Sequence, residues 1–113
     1  MRVWNRTGLP ALKWNPELYD MNGQFIGRPD GWCPEVGLAW EIDSYEFHFG
    51  KADYARTLQR NTAYAAHGIV VVQTLPNRLR AEPERVAAEL RSAYQAALGR
   101  PRPQVSIRRV DTQ

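Results

Sequence analysis

The chain has 113 residues, 43% of them hydrophobic and 24% charged, with a formal net charge of +3. This length suits one small domain that buries about two-thirds of the surface its unfolded chain would expose, and it excludes a multi-domain reading. The single cysteine, Cys33, excludes an internal disulfide, and no Cys/His pair stands at the spacing of a structural zinc site.

No run approaches the roughly 18 apolar residues of a membrane span, and the N-terminus lacks a basic-then-apolar signal pattern. With one lone thiol, the expectation is a cytoplasmic protein without a membrane partner. Charge is uneven along the chain. Residues 1–77 hold seven basic residues against eight acidic ones, whereas residues 78–113 hold eight against four. Thirteen of the fifteen basic residues are Arg, whose planar fork suits phosphate and carboxylate; codon composition and solubility account for the same bias.

Residues 1–16 carry Gly8, Pro10 and Pro16 without a sustained period and read as an extended lead-in. Leu18-Tyr19 and Phe25-Ile26 flank Asp20-Met21-Asn22-Gly23, and Asn-Gly supplies the positive φ of a tight hairpin turn. Residues 36–43, Val-Gly-Leu-Ala-Trp-Glu-Ile-Asp, read as a strand inside a sheet. A first helix is expected over residues 53–67, with Asp53 as its cap, Ala55, Leu58, Thr62 and Ala65 on its buried face, and Gly68 ending it. The β-branched run from Ile69 to Gln73 reads as a strand covered on both faces and closed by Pro76. A second helix starts near Pro83, buries Val86, Leu90, Ala93 and Ala97, and stops at Gly99. Residues 100–113 form a basic tail in which residues 105–107 either add an edge strand or stay disordered. The order hairpin-β-α-β-α implies an α/β class, with a mixed β-sheet flanked by helices and a right-handed crossover.

The chemistry concentrates on acids. Glu41 and Asp43 are two apart on a strand, so both leave one face, with Trp40 and Ile42 on the other. Such a pair calls for a cation, either Arg or a metal. A hairpin turn before the strand brings Asp30 beside Glu41, and three converging carboxylates suit Mg²⁺, or Mn²⁺, with a substrate phosphate. Arg56, Arg60 and His67 recur along one side of the first helix. Phosphate contact by Arg56 and Arg60 and a solvated face with Arg56 paired to Asp53 or Glu46 both fit that spacing. His48 lies among aromatics, where packing and acid/base work are both open. His67 reads as structural, Cys33 as a loop or semi-buried thiol, and the four Trp as core and edge filler.

Pro29-Asp30, eleven residues and Glu41-Ile42-Asp43 together resemble the PD-(D/E)XK signature of the restriction-endonuclease-like superfamily. With His48, Asp53, Arg60, the Gly68-Ile-Val-Val-Val segment and the Pro-started helix, residues 8–98 resemble its very-short-patch-repair-like endonuclease branch. The resemblance implies an endonuclease-like domain over residues 17–99 that hydrolyses phosphodiesters in DNA with Mg²⁺ or Mn²⁺. It implies Asp30, Glu41 and Asp43 as metal ligands and His48 as the residue that orients or deprotonates water. Asp43 stands where the signature has lysine, Ser44 where the branch usually has glycine, and Asn61 where an acid is frequent. The branch also usually begins with a helix carrying another acid, and this sequence reads as starting after it. An inactive endonuclease-like fold, serving as a DNA-binding or protein-interaction module in an antitoxin-like or regulatory protein, is the alternative. A third reading neutralises the carboxylates with Arg28 and its neighbours. Homodimerisation stays open, because double-strand cutting usually calls for two sites and no segment identifies an interface.

Overall fold

Two sheets and four helices are built by residues 2–43 and 50–109, which the computed structural model describes. The chain opens on α1 (Arg2–Arg6), followed by β1 (Lys13–Trp14), β2 (Glu17–Tyr19), β3 (Phe25–Gly27), β4 (Gly31–Cys33) and β5 (Leu38–Ile42). Then come α2 (Lys51–Ala66), β6 (Val70–Thr74), α3 (Pro76–Ala81), α4 (Pro83–Leu98) and β7 (Ser106–Arg108). The α/β class with mixed sheet pairing is thereby established, and no described helix is long and apolar enough to cross a membrane.

The main sheet has the order β1-β4-β5-β6; β4 pairs antiparallel with β5, and β5 pairs parallel with β6. A parallel pair needs a crossover, and α2 supplies it. The hairpin does not join this sheet as the single-sheet expectation had it. Instead β2 pairs antiparallel with β3 and β7 in a second sheet of order β3-β2-β7. The turn forms on Asp20, whose Oδ1 accepts from the backbone N–H of Asn22 and Gln24, with Gly23 at φ 79°. The tail therefore contributes a strand, β7, eighty-odd residues downstream of its partner.

Parity along β5 divides the interior in two. Leu38 and Trp40 face one cluster with Val86, Ala87, Leu90 and Ala97 of α4; Ala39 faces the other with Leu18, Ile26, Trp32, Tyr64 and Ile69. Strand β6 lies at the edge of its sheet yet is packed on both faces, Val70 and Val72 toward α4 and Val71 toward α2. Helix α4 follows the expected apolar stripe. The lead-in departs from the extended reading, because α1 buries Val3 and Trp4 and packs on α4. Five residues are too few to display a 3.6-residue period. Thr7 closes this helix by donating from Oγ1 to the Trp4 carbonyl at 2.6 Å. Trp4 and Trp14 then converge on Trp40, with ring centroids 6.0 and 6.3 Å away.

Helix α2 corrects the sequence reading in two respects. Its N-cap is Gly50, with Asp53 inside the first turn, and Ala55, Leu58, Thr62 and Ala65 are exposed rather than buried. The face turned inward carries Thr57, Arg60, Asn61, Ala63 and Tyr64, of which Tyr64 alone is fully buried. Its end is a Schellman closure: Gly68 at φ 74° lets the Ile69 N–H reach the Tyr64 carbonyl and its own N–H reach that of Ala65. Gly27 permits the hairpin to approach this helix, since a Cβ there would lie 2.6 Å from the Tyr64 hydroxyl.

Candidate functional site

The C-terminal ends of β5 and β6 lie side by side, with Glu41 in register with Gln73. Both residues point to the α2 face, because Ala39 and Val71, two positions earlier on each strand, do so. Asp43 continues that parity just past β5, and its backbone N–H is held by the Thr74 carbonyl at 3.0 Å. Across the antiparallel pair, Gly31 opposes Trp40, which puts Asp30 at the same end of the sheet. Asp30 Oδ2 accepts from the Ile42 N–H at 2.7 Å, so this carboxylate fastens the end of β5 as well as facing the cluster.

One cation meets these acids from α2. Arg60 Nη2 lies 3.1 Å from Glu41 Oε2 and 3.5 Å from Asp43 Oδ2. Gln73 Nε2 donates to Asp43 Oδ2 at 3.1 Å, and the Tyr64 hydroxyl donates to Glu41 Oε1 at 3.3 Å. Arg60 and Tyr64 are four residues apart on one helical face, so a single turn of α2 delivers both contacts to Glu41. Arg28, the neutralising residue of the third reading, donates from Nε to the Asn15 carbonyl at 3.0 Å, while Arg60 places its guanidinium on Glu41 and Asp43.

The electrostatics follow from burial. Glu41 is only 3% exposed, and desolvation pushes its carboxyl up to about 7 against the opposing pull of Arg60. Asp30 is likewise raised, first by burial and then by the charge of Asp43, with the Ile42 N–H working the other way. Burial and the neighbouring Glu41 raise the Tyr64 hydroxyl too, which keeps it a donor. Arg60 thus lies beside Glu41 and Asp43, and burial raises Asp30 and Glu41.

The remaining candidates fall elsewhere. Arg56 pairs with Asp53 on the solvent side of α2, 69% exposed, and takes no part in the cluster. His67 donates from Nδ1 to the Ala63 carbonyl, 2.8 Å away, and its Nε2 stands 3.7 Å from Asp20, a local role at the helix end. His48 lies outside the described residues. Cys33 is fully buried in β4 rather than in a loop, and burial pushes its thiol up to about 12. Gln73 and Tyr64 were missed by sequence reasoning. For Gln73 the signal was parity within β6, counted from Val71; for Tyr64 it was the four-residue spacing from Arg60.

A divalent cation requires oxygen donors that carry negative charge, and the side chains of Asp30, Glu41 and Asp43 are carboxylates of that kind. Among the described residues, no three His, Cys, Asp or Glu are already gathered as a metal-ligating group, and Arg60 rests on two of these carboxylates. Comparison with known proteins adds no analogue: no family model matches the chain, and no curated protein or solved structure matches it significantly.

Proposed function

We propose that the chain is a divalent-cation-dependent DNA endonuclease, with Asp30, Glu41 and Asp43 as the residues that would hold the ion. The observation that carries this reading is the placement of those three carboxylates at one end of β5, beside the Arg60 guanidinium. Mg²⁺ or Mn²⁺, when bound, supplies charge for the phosphate and lowers the pKa of a water. The chain's own residues set the stage. Tyr64 and Gln73 fix the orientations of Glu41 and Asp43, and Asp30 ties the cluster to the β5 backbone. Arg60, already placed over the acids, is the residue within reach of an incoming phosphate oxygen. Supercoiled plasmid incubated with Mg²⁺ or Mn²⁺ tests the reading: the wild type converts it to nicked or linear DNA and Asp30→Asn does not. Equal cleavage by both proteins would remove Asp30 from the mechanism.

A second reading rests on the Arg60 contacts themselves. They give Glu41 and Asp43 an internal counter-ion, as suits an inactive DNA-binding or protein-interaction module. That protein leaves plasmid intact and binds DNA with steep salt dependence and no divalent-ion requirement, or does not bind DNA.

A further inference from the structure

Beside the acidic cluster lies a cavity of about 580 Å³, within the size range of small-ligand sites, and Asp43 lines it as well as the cluster. Its walls include Tyr54 and Leu58 of α2 and Leu75 after β6, which are 60%, 48% and 43% exposed. Large apolar side chains left in solvent around one concavity offer a surface that a flat apolar ligand would cover. Asn61 also lines the cavity, and its Oδ1 is buried without a hydrogen-bond partner among the described residues. A buried amide oxygen normally has a partner. Turning that amide about its last torsion offers either its acceptor or its donors to a ligand. Exposed Lys51, in the first turn of α2, adds a positive charge to the same lining.

We propose that this cavity receives an unpaired nucleobase, belonging to the nucleotide whose phosphate meets the acidic cluster; the assignment rests on the nuclease reading for that phosphate. A base has apolar faces for Tyr54 and the leucines and a hydrogen-bonding edge for Asn61. The sugar links it directly to a phosphate, as the shared wall at Asp43 requires. Within a duplex the base is stacked and cannot enter, so the substrate class is single-stranded DNA or a nucleotide turned out of its helix.

The test measures binding without divalent ions, by fluorescence anisotropy of a fluorescein-labelled single-stranded oligonucleotide and its abasic analogue. The base-bearing strand should bind about tenfold more tightly, the scale of a single stacked base. Tyr54→Ala should remove most of that advantage and Asn61→Leu part of it, with abasic binding unchanged; Tyr54 is exposed, so its truncation leaves the core intact. Equal binding of the two strands, or an unchanged ratio in Tyr54→Ala, would overturn the proposal. The nuclease reading fails separately: a base preference without Mg²⁺-dependent cleavage of either plasmid or the single-stranded oligonucleotide sinks that reading and keeps the cavity assignment, whereas cleavage without base preference does the reverse.

Discussion

Helices α2 and α4 have sixteen residues each and cover opposite faces of the same two strands, but they are held by different forces. Helix α4 inserts Val86, Ala87, Leu90 and Ala97 into an apolar cluster around Trp40. Helix α2 fully buries Tyr64 alone, packs Ala63 beside it and turns the polar Thr57, Arg60 and Asn61 toward the sheet. Stability is concentrated on the α4 face and polar chemistry on the α2 face. A strand such as β5 can carry both because successive side chains leave on opposite sides.

The sharpest break of that contrast is Leu90→Ala. Leu90 is fully buried against the Trp40 side, and truncation should lower unfolding free energy by about 2–5 kcal/mol in urea denaturation, at every pH. Loss on the α2 side should instead depend on pH. Glu41 has a folded value of about 7 against an ordinary 4.5, so between those values the native state binds more protons than the unfolded chain. Stability therefore falls as pH rises through that window, by on the order of 3 kcal/mol in total. Glu41→Gln should flatten the fall, as followed by thermal unfolding from pH 4 to pH 8, taken as roughly the span of these titrations.

Arg60→Met should cost about 2 kcal/mol near pH 8, a charge lost from beside the buried Glu41 carboxylate, and much less near pH 4, well below the raised Glu41 titration at about 7. Paired urea titrations at the two pH values check it, and an equal loss at both would mean that Arg60 contributes by packing. The smallest effect belongs to Arg56→Ala. Its pair with Asp53 is exposed, so stability should change by no more than about 0.5 kcal/mol.

The same contrast explains what could be read in the residues. On the α4 side, apolar periodicity and Pro83 marked the helix because burial chose those side chains. Asp30, Glu41 and Asp43 were found from parity and the hairpin, since a strand places alternate residues on one face whatever their chemistry. Helix α2 misled for a physical reason. Its inward face is polar, so a search for an apolar stripe selected Ala55, Leu58 and Ala65, which lie in solvent. Arg60 was noticed as a basic residue, but its inward direction was hidden by that choice, and Tyr64 with it. The second sheet was hidden by distance: nothing near Leu18 announces that Ile107 will pair with it.

The proposed role of the α2 face is to hold a divalent ion on the carboxylates that lie beside Arg60. Calorimetric titration of Mn²⁺ into wild type and Asp43→Asn at pH 6 and pH 8, on either side of the raised Glu41 titration at about 7, tests it most directly. Wild type should bind the ion more tightly at pH 8, with proton release at pH 6 as Glu41 ionises, and Asp43→Asn should lose that binding. Binding that is absent at both pH values, or identical in the two proteins, would contradict the account and leave Arg60 as the lasting counter-ion of the cluster.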